Sequence, residues 1–250
     1  MRNVIVLGSG RSGTSMVAGS LAAAGYFLGH DLLPPSPSNP KGFFEDVEVN
    51  AINEDILESV VPRRPRVLGN TLFKDRPLRY QRWLARVPLS AQLQSKPAVD
   101  ERIKKVVSNV PFCLKDPRFS YTLPLWRPFL ENTVFVCVFR HPTATATSIL
   151  RECRDDVRLH SLAMNTKRAL QVWTLMYRHV LEIHRHTGSW LFLHYDQMVA
   201  GDGLDKIASL AQAKVDRAFP EKRLQRTVAT ESVLPEVKQV YETLCSLAGY

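Results

Sequence analysis

The sequence predicts an α/β fold of three layers, a central parallel sheet flanked by helices. Three observations carry that expectation. Short apolar runs recur at Val4–Leu7, Phe112–Lys115, Thr133–Phe139 and Trp190–His194, and continuous apolar runs of this length mark strands buried on both faces. Segments with helical spacing lie between them, and strands alternating with helices imply a parallel sheet. The first run ends in glycine and the next two end at charged residues followed by proline, so turns fall at strand carboxyl ends, where open α/β sheets collect ligands.

The elements follow in order. After Val4–Leu7 and a Gly-rich turn, Met16, Val17, Leu21 and Ala24 repeat at helical spacing, with Thr14 or Ser12 as the expected cap and Gly25 as the stop. From Gly29 to Phe44 the chain carries Pro34, Pro35, Pro37, Pro40 and Gly42, which excludes regular structure and predicts a long loop. A helix resumes over Asp46–Ser59, with Val49, Ile52, Ile56 and Leu57 on one face. The basic, partly irregular segment 62–98 is expected to hold one short helix near Leu78–Arg86. Further helices fit Thr143–Arg151, Ser161–His186, Leu204–Ala213 and Pro235–Leu247.

The chain has 250 residues, 45% of them hydrophobic, enough for one domain spanning 1–250 with a full core. Val4–Leu7 is too short for a signal-peptide core, and no apolar run approaches the ~18 residues of a membrane helix; a soluble, cytoplasmic protein is expected. The net charge of +9 favours an anionic partner, whether nucleotide, acidic glycan, lipid headgroup or nucleic acid. Between Arg63 and Arg86 eight basic residues face one acid, Asp75; a solvated surface is the plainer reading of such a run. Its only aromatics are Phe73, Tyr80 and Trp83, so nucleic acid is not the expected partner. Cys113, Cys137, Cys153 and Cys245 show no CxxC pairing and read as buried free thiols. His179, His184 and His186 show no metal-ligand spacing and read as exposed helix residues, so no metal site is expected.

Gly8-Ser9-Gly10-Arg11-Ser12-Gly13-Thr14-Ser15 has the glycine spacing of a nucleotide phosphate loop, but threonine stands where that motif has lysine. Backbone N–H groups at a helix N-terminus still form an anion nest. The cation that reaches the β- and γ-phosphates of a nucleoside triphosphate is absent, which argues against a kinase. Arg11 supplies a cation inside the loop instead. Arg140-His141-Pro142 closes the third apolar run, with Ser148 eight residues on in the next expected helix.

Arg11-Ser12-Gly13-Thr14-Ser15 resembles the 5′-phosphosulfate loop of the sulfotransferases, and Arg140-His141-Pro142…Ser148 resembles their 3′-phosphate site. Lys115-Asp116-Pro117-Arg118 is similar to a segment of bacterial members, and Tyr195-Asp196-Gln197-Met198 is similar to a family segment whose tyrosine lies near the adenine. The resemblance implies a P-loop NTPase-like fold and transfer of a sulfuryl group from 3′-phosphoadenosine 5′-phosphosulfate, without a metal, releasing adenosine 3′,5′-bisphosphate. By the same resemblance Gly10, Arg11, Ser12, Gly13, Thr14 and Ser15 hold the phosphosulfate, Arg140 and Ser148 the 3′-phosphate, and Tyr195 the adenine side. The family's cytosolic branch places a basic histidine where this chain has Lys115-Asp116-Pro117. Other branches use a glutamate beyond the first helix, which implies Glu45 as general base, with Asp46 and His30 in reserve. Arg11 and Lys115 are then the cations for the bridging oxygen and the sulfonate. The acceptor is a hydroxyl or amine on a small molecule, carbohydrate or lipid. The rival readings are a nucleotide-dependent kinase and a nucleic-acid-binding protein built on Arg63–Arg86.

Overall fold

The computed structural model describes residues 1–221 and 233–250. Strands β1 (Asn3–Leu7), β2 (Cys113–Lys115), β3 (Thr133–Phe139) and β4 (Ser189–His194) form a sheet in the order β2-β1-β3-β4, with every neighbouring pair parallel. All four expected strands are present. Val6 pairs with Lys115 and Leu7 with Cys137, so the turns after β1, β2 and β3 emerge side by side at one end of the sheet.

The described helices are α1 (Thr14–Ala22), α2 (Val47–Leu57), α3 (Gly69–Leu72), α4 (Pro97–Val107), α5 (Phe119–Trp126), α6 (Pro142–Asp155), α7 (Thr166–Arg178), α8 (Tyr195–Ala200), α9 (Asp202–Ala211) and α10 (Pro235–Ala248). The pleat of the strands sorts them into layers. Ile5 and Leu7 face one core with Ile52 of α2, Ile103 of α4, Trp126 of α5 and Trp173 of α7. Val4 and Val6 face the other, with Leu21 of α1 and Ile207 of α9. Alternate residues of one strand thus enter opposite cores, which is why β1 is apolar at nearly every position. Truncating a fully buried residue such as Leu7 to alanine removes roughly 2–5 kcal/mol.

Several local expectations are corrected. α1 has Gly13 at its N-cap and no side-chain cap; neither Ser12 nor Thr14 closes it. Ser12 instead turns its hydroxyl to Thr145, 3.3 Å away. The helix expected over Ser161–His186 starts at Thr166, capped by Asn165, and widens into a π turn over His179–His184. That turn carries His179 and His184 inward, where both are buried and meet the carbonyls of Val87 and Ser120; only His186 is exposed. Near Leu78–Arg86 a single 3₁₀ turn, Arg82–Leu84, replaces the expected short helix. Helices α4 and α5 were not among those expected, although Val99, Ile103 and Val106 line the buried side of α4 at helical spacing.

The basic run is less solvated than its composition implies. Arg63, Arg79 and Arg82 pair with Glu58, Asp55 and Glu54 from α2 and the residue after it, and Arg86 pairs with Asp75. Arg82 is buried. Cys113 and Cys137 are buried free thiols as expected, while Cys153 and Cys245 are half-buried and also free. Among the described residues no helix is long and apolar enough to cross a membrane.

Candidate active site

Three strand ends build the site. β1 runs into the Gly-rich turn at Gly8, which takes a φ of 133°; a Cβ there would lie 2.1 Å from the Val138 carbonyl oxygen of β3. Only glycine leaves the sheet by this route. The turn is pinned from behind: Gly8 N–H donates to Ser120 Oγ (3.2 Å) and Ser9 N–H to the Tyr177 hydroxyl (3.1 Å). The Trp83 ring lies over Gly10, where a Cβ would come within 2.6 Å of it. With Gly13 at its N-cap and no side-chain cap, the nine-residue helix α1 presents its first N–H groups to the site, an electrostatic seat for an anion.

β3 delivers the second group. Arg140 follows its last residue and is buried, with the guanidinium carbon 4.4 Å from the centre of the Tyr195 ring at the start of α8. Burial depresses the Arg140 pKa and the Arg11 charge adds to that, whereas Tyr195 and Asp196 oppose it. Burial likewise raises the Tyr195 hydroxyl, against Arg140. The same Tyr195 ring packs against Gly13, so it touches both candidate phosphate elements.

The two motifs meet through Arg11. Its Nε donates to Ser148 Oγ (3.2 Å) and its Nη2 to the Ser38 carbonyl (3.0 Å), while Nη1 lies 3.4 Å from Glu152 Oε2. Arg11 takes a φ of 70°. Ser38 Oγ donates to Glu152 Oε1 (2.9 Å), and Ser15 Oγ donates to the Phe43 carbonyl (3.1 Å). The Pro-rich loop is therefore ordered as a strap across the mouth of the turn. Glu152 sits four residues after Ser148 on α6, so helical spacing places the two on one face; that was the available sequence signal for it.

β2 contributes the third group. Lys115, 2% exposed, forms a short ion pair with Glu45 Oε1. Asn50, in the first turns of α2, donates to Glu45 Oε2 (3.1 Å), and its own Oδ1 is buried without a hydrogen-bond partner. Asp46 is used structurally: Oδ1 accepts from Val49 N–H as the α2 cap, and Oδ2 accepts from the N–H groups of His30 and Asp31. His30 is exposed with its ring against Phe27.

Behind Glu45 and Lys115 lies a buried charge network. Arg118 spans Asp116 (3.1 Å) and Glu54 (2.9 Å), and Arg82 joins Glu54 (3.3 Å). Asn53 donates to Asp116 Oδ2 (2.9 Å) and accepts from Trp126 and Thr122. Burial raises the Asp116 carboxyl, with the Glu45 charge adding and Arg118 opposing. The structure thus brings together Gly10 to Ser15, Arg140, Ser148 and Tyr195 in one set, and Glu45 with Lys115 at the next strand end. Asn50 is an additional residue beside Glu45, and Trp83, Ser120, Glu152 and Tyr177 are others whose roles depend on partners far away in sequence. Among the described residues no group of histidine, cysteine or carboxylate side chains is arranged to hold a metal ion.

A parallel sheet flanked by helices, with an uncapped helix at a glycine turn and a separate arginine at the adjacent strand end, defines an α/β protein. The sulfotransferase family model matches residues 3–203, and the chain belongs to the sulfotransferase family. Among solved structures it is similar to a sulfotransferase domain from the curacin biosynthetic pathway, with 15% identity and a TM-score of 0.57, covering 98% of each chain. It is also similar to a sulfotransferase domain from the Synechococcus PCC 7002 olefin synthase, with 16% identity and a TM-score of 0.50, covering 97% of this chain and 94% of that one. At such identities the likeness is one of fold. No curated protein matches the sequence.

Proposed function

We propose that the protein transfers a sulfuryl group from 3′-phosphoadenosine 5′-phosphosulfate to a hydroxyl or amine of a small-molecule, carbohydrate or lipid acceptor, acting in the cytoplasm without a metal. The observation that carries the reading is the contact of Arg11 with Ser148, which joins the glycine turn to the helix that follows Arg140. A ligand with one phosphate in the turn and another at Arg140 and Ser148 matches that pairing. The uncapped α1 N-terminus and the two arginines fit its charge.

The donor supplies an activated sulfuryl group on a phosphate leaving group. Gly10 to Ser15 bind its 5′ end, Arg140 and Ser148 its 3′-phosphate, and the Tyr195 ring the adenine side. Glu45 takes the acceptor proton as the acceptor oxygen or nitrogen bonds to sulfur and the sulfur–oxygen bond to the 5′-phosphate breaks. Protonation of Glu45 neutralises the partner of Lys115, freeing that ammonium to face the sulfonate. Arg11 and the N–H groups of the turn meet the charge that collects on the leaving phosphate. Asn50 keeps the second Glu45 oxygen oriented.

Ligand-induced stabilisation tests the reading, because a ligand that binds only the folded state raises Tm by mass action. Adenosine 3′,5′-bisphosphate should raise Tm well above the effect of ATP with Mg²⁺ at equal concentration. Equal shifts would favour a nucleotide kinase and overturn the assignment.

A further inference from the structure

The segment between α2 and α4 carries an exposed aliphatic surface outside the residues placed at the candidate site. Val67, Leu68 and Leu72 are 78%, 59% and 69% exposed, all within six residues at and beside α3. Leu68 opens that turn and Leu72 closes it, with the Leu72 N–H donating to the Leu68 carbonyl (2.9 Å). The protrusion is stapled from within: Arg64 donates to the Arg76 carbonyl (2.6 Å) and to Asn70 Oδ1 (3.3 Å), and Arg76 donates to the Arg63 carbonyl (2.9 Å). Its shape is therefore held while its large aliphatic side chains point to solvent. From Arg63 to Arg76 five basic residues stand against one acid, Asp75, which is already paired with Arg86. Arg66 and Lys74 are exposed and form no salt bridge among the described residues.

We propose that this protrusion docks on an anionic lipid bilayer, the aliphatic side chains entering the headgroup boundary and Arg66 and Lys74 meeting lipid phosphates and carboxylates. Charge complementarity selects the occupant: an apolar tip rimmed by uncompensated cations fits a negative lipid surface. A protein partner is the weaker match, because protein hot spots favour Trp, Tyr and Arg and disfavour Leu and Val. The same stretch of chain continues into the wall of the site, where the Tyr80 carbonyl accepts from Arg118 and Trp83 covers Gly10. Docking and sulfuryl transfer are read out separately, so each stands or falls alone.

Sedimentation of the whole protein with vesicles tests the proposal. Vesicles of phosphatidylcholine with about one third phosphatidylserine should bind it, with binding that weakens as salt rises, and phosphatidylcholine alone should bind it far less. The double variant Leu68→Ser/Leu72→Ser should bind the anionic vesicles about tenfold more weakly or worse, and Arg66→Glu/Lys74→Glu should do the same. Equal binding to both vesicle types, or none to either, overturns the proposal and leaves the patch to a protein partner. Undiminished binding by the leucine variant overturns it too, since adhesion by charge alone needs no apolar tip. An unchanged Tm qualifies each variant; if the leucine pair lowers Tm, Val67→Asn takes its place with the same expected direction.

Discussion

The two sides of the site are built in different ways. The proposed donor side is compact in sequence: Gly8 to Ser15 at the end of β1 and Arg140 to Ser148 at the end of β3, two neighbouring strands in register. Most of its geometry follows from where a strand stops and a helix starts. The proposed acceptor side is assembled from distance, with Glu45 closing a Pro-rich strap, Lys115 ending β2, and a buried network drawing on Glu54, Arg82, Asp116 and Arg118. The lesson is that a glycine turn with a helix end is set by local sequence, whereas the buried Glu45–Lys115 pair sits in front of a frame of further ions drawn from distant parts of the chain.

That contrast is open to attack at several points. The largest effect is expected at Glu45: Glu45→Gln retains size and hydrogen bonding but cannot take the acceptor proton, so turnover should fall roughly 10²–10⁴-fold. The dissociation constant for adenosine 3′,5′-bisphosphate should stay nearly unchanged, because the donor side is separate. A fall in turnover accompanied by a rise in that dissociation constant would show that the two sides are not independent.

The supporting frame comes next. Glu54 is fully buried between Arg82 and Arg118, so Glu54→Gln takes the carboxylate from buried Arg82 and leaves Arg118 with Asp116 alone, and should cost about 3–5 kcal/mol of stability in denaturant unfolding. A loss under about 1 kcal/mol would mean that the network is not what holds the acceptor side.

The donor side has a smaller, pH-dependent support. His184 meets the Ser120 carbonyl, and the Ser120 hydroxyl accepts from Gly8 N–H. Burial lowers the His184 pKa from 6.5 to about 3. Below pH 6.5 the unfolded chain therefore binds a proton that the folded chain refuses, and stability falls as pH drops through that window toward 3. His184→Gln should flatten the acid limb of stability against pH by about 1 kcal/mol per pH unit. An identical limb in both proteins would remove His184 as its source.

Legibility in sequence follows the same division. The four strands and the glycine turn are readable because each lies within a few residues and obeys a local rule. The Glu54 network is not, since its partners stand 28 and 64 residues away, and no spacing rule links them. Trp83 is visible only as an aromatic in a basic run until the fold sets it on Gly10. His179 and His184 have the spacing of an exposed helix, and it is the π turn that carries them inward. Asp46 and Glu45 are adjacent and alike in type, and only the fold separates them, one capping α2 and the other facing Lys115.

The most direct test of the central claim, that the glycine turn and Arg140 with Ser148 form one seat for a bisphosphate, is a binding cycle by calorimetry. Adenosine 3′,5′-bisphosphate and adenosine 5′-monophosphate differ only in the 3′-phosphate, and both are titrated into the native protein and into Arg140→Ala. The native protein should prefer the bisphosphate by about tenfold to a hundredfold, the worth of one charge-assisted contact at ~1.5–3 kcal/mol. In Arg140→Ala that preference should collapse while affinity for the monophosphate changes little. A preference of equal size in both proteins, with the fold intact, would contradict the claim and take Arg140 out of the site.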